Sequence, residues 1–426
     1  MDISYRGGDS VASLLRRWPL LPLHLHYDLI QPSRNSKDED SVLVLLQHLE
    51  RICSLCIRAP LSTWRSIVAE ALGPPISCTS IERINLDTGD RTTGLVLPST
   101  FLAGTSPRLR EFTMIGVFPL SLPSLVRPPI YLTSFVLDGI PDSSHLPPET
   151  LFAYLGAMPQ LQYLNVGFLS SKLPHLRRGG KSTAPGPPNR VVLSHLGHFY
   201  FRGVCAYLEA LVTRLDTPRV YDICLTFFHQ LSYPLPSLSA FLSRTKRFGF
   251  DGVRINLYAQ GAIISATPVI SRQSGETFFI RIPCDHLDYQ VISVAHVCDS
   301  LRPNFANMED LFIEYHQSQL PVEWSGEVEP ALWSEVLAQF HGMKTLWVSS
   351  ALVSEVTQAI RFIAQQLLEK VPMLAWIIVE VYRGDASIAA GCLSDLLIKI
   401  KQSGGPVIDV YRLFSDEWNE RTLPQR

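Results

Sequence analysis

The 426-residue sequence predicts an α/β fold of stacked repeats, with short parallel strands on the inside and helices on the outside. Two observations predict this fold. A short apolar motif recurs along the chain at the spacing of a repeat protein, and the segments between the motifs show the apolar spacing of helices. The composition is compatible, since 46% of the residues are hydrophobic and 18% are charged, which is too apolar for a disordered chain.

The recurring motif has the form apolar-x-x-apolar-x-apolar, as in Ile81, Ile84 and Leu86. Its last two apolar positions are two residues apart, so a strand turns both side chains to the same face. Eleven copies end at Ile57, Leu86, Met114, Leu137, Val166, Phe201, Leu225, Phe250, Ile313, Val348 and Val379. Most copies are separated by about 20–29 residues, the period of a leucine-rich repeat. The sequence therefore favours an α/β leucine-rich-repeat-like solenoid over one compact α/β domain with a parallel sheet.

The segments between motifs predict helices. Apolar residues in 287–301 recur at a 4-3-4-3 spacing, which places them on one helical face. Residues 354–370 show a similar pattern, and residues 147–158 and 204–215 predict shorter helices.

Two stretches interrupt the period of the predicted single repeat domain, residues 1–426. Residues 172–190 are rich in Pro, Gly and basic residues, which predicts a flexible loop insertion. Residues 251–307 contain two further strand-like runs, 261–269 and 277–282, which predict a repeat with a hairpin extension.

No motif in the sequence predicts catalysis. Cys53 and Cys56 form a C-x-x-C, but a structural zinc site needs a second such pair. Residues 179–182, Gly-Gly-Lys-Ser, lack the first glycine of a phosphate-binding loop. His24 and His26 share one strand face without a third ligand nearby. We therefore expect no enzyme activity, no cofactor and no metal site.

Net charge, hydropathy and cysteine content indicate which classes of partner and which cellular location to expect. The net charge is −2, so no global positive field attracts nucleic acid, although a local basic patch stays open as an alternative. The apolar runs are too short to predict a membrane span. The eight cysteines form no compact framework, which is typical of reduced thiols in a cytoplasmic or nuclear protein.

Several stretches carry a resemblance to a known family. They are residues 132–140 (Leu-Thr-Ser-Phe-Val-Leu-Asp-Gly-Ile), 158–168 (Met-Pro-Gln-Leu-Gln-Tyr-Leu-Asn-Val-Gly-Phe), 21–27, 146–151, 207–218, 226–231 and 287–295. With these stretches the chain resembles the F-box/leucine-rich-repeat-like proteins of mushroom-forming fungi. The resemblance implies a substrate receptor of an SCF-type ubiquitin ligase, in which an F-box binds a Skp-type adaptor and the repeats hold a protein target.

The F-box itself is the missing part of this resemblance. Residues 1–20 are too few to form one, so a Skp-type adaptor is expected as a partner only if an F-box lies upstream of Met1. Residues 146–151 are similar to an F-box opening, but the motif beginning at Leu161 leaves no room for the remaining helices, and we expect a repeat helix there. The alternative is a free-standing leucine-rich-repeat scaffold or decoy without a ligase link.

The strand pattern also predicts partner-binding residues. The residue between the two buried positions of a motif, and the residue after them, face away from the core. The predicted set contains the acidic residues Asp87, Asp138, Asp251, Glu314 and Glu380 and the apolar residues Phe312, Trp347 and Ile378. We expect an exposed aromatic stripe bordered by carboxylates, which would suit a protein target with a basic amphipathic segment. Alternatively, the C-terminal tail with Trp418 covers the stripe as a cap.

Overall fold

The chain is a mixed α/β protein with largely parallel sheets, which confirms the α/β prediction. Its computed structural model describes residues 2–3, 15, 21–30, 36–71, 79–90, 94–98, 101, 106–119, 130–141, 146–170, 190–245, 250–267, 277–315, 328–363, 370–381, 386–402 and 408–414. The chain divides into two compact units, one of Met1–Gly203 with Ala210–Val220 and one of Val204–Glu209 with Tyr221–Arg426.

The first unit is built on a parallel sheet. Its strands are β1 (Asp2–Ile3), β2 (Leu23–Asp28), β3 (Ile52–Arg58), β4 (Arg83–Asp87), β5 (Leu95–Leu97), β6 (Glu111–Ile115), β7 (Val117–Pro119), β8 (Ser134–Ile140), β9 (Tyr163–Phe168), β10 (Val191–Val192), β11 (His198–Gly203) and β12 (Leu215–Asp216). Its helices are α1 (Ser36–Leu46), α2 (Leu61–Glu70) and α3 (Pro148–Gly156), with a 3-10 turn at Leu49–Arg51. The sheet order is β1-β2-β3-β4-β6-β8-β9-β11, and β5–β7 and β10–β12 form small parallel pairs.

The second unit contains the remaining strands and helices. The strands are β13 (Asp222–Phe227), β14 (Gly252–Tyr258), β15 (Gly261–Thr267), β16 (Thr277–Pro283), β17 (Asp310–Tyr315), β18 (Thr345–Ser349), β19 (Trp376–Val381) and β20 (Asp409–Phe414). The helices are α5 (Pro236–Arg244), α6 (Leu287–Ser300), α7 (Arg302–Phe305), α8 (Pro330–Leu337), α9 (Val353–Phe362) and α10 (Ala386–Gln402), with a 3-10 turn at Ser350–Leu352. Helix α4 (Cys205–Val212) contributes residues to both units.

The order of strands in the second unit is β13-β16-β15-β14-β17-β18-β19-β20. Strand β15 runs antiparallel to both β14 and β16, and the other strand pairings described in this unit are parallel. The strand-like runs predicted at 261–269 and 277–282 are thus β15 and β16, and both lie inside the sheet.

Alternate residues of the strands form buried rows that cross each sheet. In β4, Ile84 and Leu86 have 0% exposure. Leu86 is in register with Met114 of β6, which has the same exposure. Phe112, in register with Ile84, stacks on Phe135 with 5.7 Å between ring centroids. In these strands the last two apolar positions of the motif therefore lie on the core face, as predicted.

A main-chain hydrogen bond recurs just before the strands. The amide of Arg110 donates to the carbonyl of Glu82 at 2.8 Å, and the amide of Thr133 donates to Arg110 at 2.8 Å. The same bond links Gln162 to Thr133, Gly197 to Gln162, Lys344 to Glu309, Ala375 to Lys344 and Asp409 to Ala375. Six of these strands are thus joined to their neighbours one residue before the ladder begins, and β20 is joined at its first residue, Asp409.

A tight turn precedes this bond and involves the first apolar position of the motif. The amide of Leu161 donates to the carbonyl of Met158 at 3.2 Å. The equivalent bond, three residues back, is made by Leu109, Leu196, Val220, Met308, Met343 and Leu374. In these copies the first apolar residue of the motif is therefore buried, and its amide closes the turn that leads into the strand.

The structure has helices where the apolar spacing predicts them. Within residues 287–301, Leu287–Ser300 form α6, and residues 204–215 contain α4. Helix α3 begins at Pro148, where proline is tolerated because the first helical N–H has no partner within the helix. Residues 364–369 of the helix predicted at 354–370, and residues 172–189 of the predicted loop insertion, lie outside the described part of the chain.

Among the helices in the described ranges, none has both the length and the apolar character needed to cross a membrane.

A pair of substitutions in β6 tests which face is buried. Met114 has 0% exposure, whereas its neighbour Thr113 is half-buried on the other face. We expect Met114→Ala to lower the free energy of unfolding by about 2–5 kcal/mol because it leaves a cavity, and Thr113→Ala to change it far less. Thermal unfolding of both variants measures this difference. Equal losses in the two variants would contradict the assignment of faces.

Candidate functional site

Each sheet has a second face, formed by the residues that alternate with the buried rows. In β4 this face carries Arg83, Asn85 and Asp87. The strand alternation also places Asp138, Phe312, Glu314, Trp347 and Ile378 on the second face of their units. The backbone of Glu380 pairs with Ser349, and the side chain of Glu380 lies outside the described residues.

One row of the second face in the second unit is largely apolar. Its members are Arg254, Phe312, Trp347, Ile378 and Tyr411, which are in register on five adjacent strands from β14 to β20. We call this set the aromatic row. The rings of Phe312 and Trp347 stack with centroids 5.2 Å apart and an interplanar angle of 16°. Ile378 packs with Trp347 in the same cluster.

The aromatic row is not the exposed stripe that the sequence predicts. Trp347 is 5% exposed and Ile378 is 3% exposed, so the expectation that these side chains are solvent-exposed is wrong. The reason is that neighbouring parallel strands stack equivalent side chains, and the indole lies between Phe312 and Ile378. Tyr411, on β20, is the exposed member of the row at 44%. The residues of the proposed cap around Trp418 lie outside the described ranges.

Arg254 occupies the other end of the aromatic row. Its guanidinium carbon lies 4.9 Å from the ring centroid of Phe312. Its Nη1 also lies 2.8 Å from Oε1 of Glu314. Glu314 is buried, so its carboxylate is neutralised inside the fold instead of forming a free acidic border. The cation thus combines ring stacking with a charge-assisted hydrogen bond.

Arginines in the first unit also neutralise predicted acidic residues. Arg58 lies in register between Asp28 and Asp87, and its Nε is 3.3 Å from Oδ2 of Asp87. Oδ1 of Asp87 accepts a hydrogen bond from the amide of Gly89 at 2.7 Å. The acidic excess predicted for this face is therefore offset by basic side chains of the same face.

Asp138 and Arg202 make an ion pair across an intervening strand. Asp138 lies on β8, Arg202 lies on β11, and Gly167 of β9 is in register between them. Nη2 of Arg202 is 3.3 Å from Oδ1 of Asp138, and Nε of Arg202 donates to the carbonyl of Phe168 at 3.0 Å. A Cβ atom at position 167 would overlap Oδ1 of Asp138. The pair therefore requires glycine at this position.

Asp251 does not join the other predicted residues. The sequence motif was placed to end at Phe250, but the strand is β14, which begins at Gly252. Phe250, Val253 and Ile255 form the motif, so Phe250 takes its first position and not its last. Asp251 consequently precedes the strand, where its carbonyl accepts the amide of Glu309 at 3.1 Å. Because the predicted copy ends at Phe250, it places no strand residue at position 254, and the sequence pattern therefore did not predict Arg254.

Sequence reasoning also missed an aromatic cluster on the second face of the first unit. Tyr163, His198 and Tyr200 lie on β9 and β11, and all three are half-buried. The ring centroids of Tyr163 and Tyr200 are 5.2 Å apart, and those of Tyr163 and His198 are 5.7 Å apart. We call these three residues the tyrosine cluster. Tyr200 stands between two buried motif positions, so the alternation that predicted Trp347 could have predicted it too.

Several thiols in the described part of the chain have a raised pKa. Burial raises the pKa of the Cys56 thiol, and it raises the pKa of Cys205 to about 12. Burial also raises the pKa of Cys298. These three thiols are therefore protonated at neutral pH, which makes them poor nucleophiles. Within the described ranges, no group of three or more His, Cys, Asp or Glu residues could hold a metal ion.

Substitution of Trp347 tests the packing of the aromatic row. We expect Trp347→Ala to destabilise the protein by about 3–5 kcal/mol because it leaves Phe312 and Ile378 without their shared neighbour. Tyr411→Ala, at the exposed end of the same row, should leave the melting temperature nearly unchanged. A Trp347→Ala protein as stable as the Tyr411→Ala protein would show that the indole is not packed as described.

Two glycine substitutions test the ion pair of Asp138 and Arg202. Gly167→Ala should cost about 1–3 kcal/mol because the new methyl group overlaps the carboxylate of Asp138. Gly391→Ala is the control: this exposed glycine inside α10 has open space around it, and alanine there should stabilise the helix by about 0.5–1 kcal/mol. Melting temperatures that move in opposite directions support the geometry, and a stabilising Gly167→Ala would refute it.

No protein-family model matches the chain, and no curated protein matches it either. The function is therefore inferred from the second face of the two units.

Proposed function

We propose that the chain is a non-enzymatic protein-recognition module that binds its target through the second face of its sheets. The observation that carries this proposal is the tyrosine cluster. Tyr163, His198 and Tyr200 are half-buried on a strand face whose other side is the core, and Arg202 lies on the same strand as Tyr200. Tyrosine and arginine side chains on a rigid scaffold are typical of the energetic centres of protein interfaces.

We further propose that the strands belong to an α/β leucine-rich-repeat-like solenoid. Two recurring main-chain features support it: the turn closed by the first apolar position and the hydrogen bond just before the strands. Both recur at the positions at which the sequence motif recurs, in the first unit and in the second. Repeat proteins of this kind use the exposed side of their strands to bind partners.

The resemblance to F-box/leucine-rich-repeat-like proteins supports a narrower proposal, a substrate receptor of an SCF-type ubiquitin ligase. The alternative is a free-standing scaffold or decoy. Reading the transcript upstream of Met1 separates them, since an in-frame F-box would support the receptor and a start at Met1 would support the scaffold. The seven cysteines of the described ranges form no disulfide, which supports a cytoplasmic or nuclear location.

Pairing within the fold reduces the negative charge that the second face offers to a partner. The carboxylates of Asp87, Asp138 and Glu314 are each within 4 Å of an arginine, so they supply less negative potential than the sequence suggests. Because these carboxylates are already paired with arginines of the same face, they add little to the attraction of a basic partner. Aromatic and apolar contacts should therefore contribute most of the affinity on the second face of the first unit.

Affinity capture with quantitative mass spectrometry tests the proposed function. Tyr200→Ala should lose a defined group of bound proteins because it removes one of the two tyrosine rings of the tyrosine cluster. Tyr131→Ala is the control, since Tyr131 is a 57% exposed tyrosine of the same unit that precedes β8. Both variants should melt near the temperature of the unmodified protein. Identical sets of captured proteins for the two variants would contradict binding through the second face.

A further inference from the structure

Arg254 stands at one end of the aromatic row, and its contacts indicate which kind of side chain such a surface can bind. Arg254 lies over Phe312 and pairs with Glu314, two residues further along the strand of Phe312. A planar guanidinium stacks on an aromatic ring and bonds a carboxylate at the same time, which an ammonium group does less well. The fold thus uses an aromatic ring and a nearby carboxylate to hold one arginine.

The other end of the row presents the same two kinds of group to solvent. Tyr411 is 44% exposed, and Asp409, two residues earlier on the same face of β20, is also exposed. Trp376 of β19 is in register with Asp409 and is half-buried. Met373, in the turn before β19, adds an apolar side chain that is 52% exposed.

We propose that Trp376, Asp409 and Tyr411 form a docking site for an arginine side chain of a protein partner. The proposal deepens the proposed function, on which it rests, by naming the chemistry of one partner residue. The carboxylate of Asp409 supplies the complementary charge, and the rings of Tyr411 and Trp376 supply the surface on which a guanidinium stacks. Because Met373 is an exposed apolar side chain in the turn that leads into β19, we expect the partner arginine to be flanked by apolar residues.

The arrangement favours a partner residue that is arginine and not lysine. A guanidinium can stack over Tyr411 and still direct N–H groups at Asp409, because its donors lie in the plane that stacks. A lysine ammonium is more strongly hydrated and cannot do both with its compact charge. An acidic side chain would be repelled by Asp409.

A blocked pentapeptide provides the direct test. The probe is acetyl-Gly-Leu-Arg-Leu-Gly-amide, titrated into the 426-residue protein while the tryptophan indole N–H signals are followed by NMR. The matched probes replace the arginine by citrulline, which has the same shape without the charge, and by lysine. We expect the arginine peptide to bind about three- to tenfold more tightly than the citrulline peptide. The lysine peptide should be intermediate.

Two variants and their controls complete the experiment. Asp409→Asn and Tyr411→Ala should each weaken binding of the arginine peptide by about three- to tenfold. Asp251→Asn and Tyr131→Ala change an exposed aspartate and an exposed tyrosine elsewhere, and they should leave the affinity unchanged.

The proposal is overturned if the arginine peptide does not bind, if it binds no better than the citrulline peptide, or if neither site variant changes the affinity. Equal affinity for the lysine and arginine peptides would also overturn the choice of arginine. None of these results affects the proposed function, which fails separately if Tyr200→Ala and Tyr131→Ala capture the same proteins.

Discussion

In-register pairing of short parallel strands is the constraint on which the rest of this structure depends. Because each residue of one strand stands beside the equivalent residue of the next, a buried position in one motif requires a buried position in its neighbours. Leu86 beside Met114 and Ile84 beside Phe112 show this on the core face. The same constraint aligns the side chains of the second face, where it assembles the aromatic row and the arginine–carboxylate pairs from residues far apart in sequence.

Much of the fold could be predicted from the sequence because the apolar motif reports this constraint directly. The turn, the buried strand positions and the helices between them follow from local patterns, as in α6. The prediction was wrong at one copy, because Phe250 is the first apolar position of its motif and not the last. The true strand, β14, repeats the motif from Phe250 onward, which moved Asp251 off the second face and placed Arg254 on it.

The candidate site was harder to predict. The alternation of residues along a strand shows on which face of the sheet a side chain lies, but not how exposed that side chain is. Trp347 is on the expected face, yet stacking between Phe312 and Ile378 buries it. The charge of this face was predicted wrongly for a related reason. Glu314 pairs with Arg254, which lies 60 residues earlier in sequence, and only the strand register brings the two side chains together. The tyrosine cluster lies in the first unit and the arginine docking site at β20, so separate variants test the two proposals.

Backbone hydrogen exchange is the most direct test of in-register pairing. Arg110 and Gln162 have exposed side chains, but their amides donate to the carbonyls of Glu82 and Thr133 at 2.8 Å. In-register pairing predicts that these two amides exchange slowly, at rates close to those of the strand residues that follow them. Exchange of Arg110 and Gln162 as fast as that of the 91% exposed Leu231 would contradict the repeated strand register and the surfaces inferred from it.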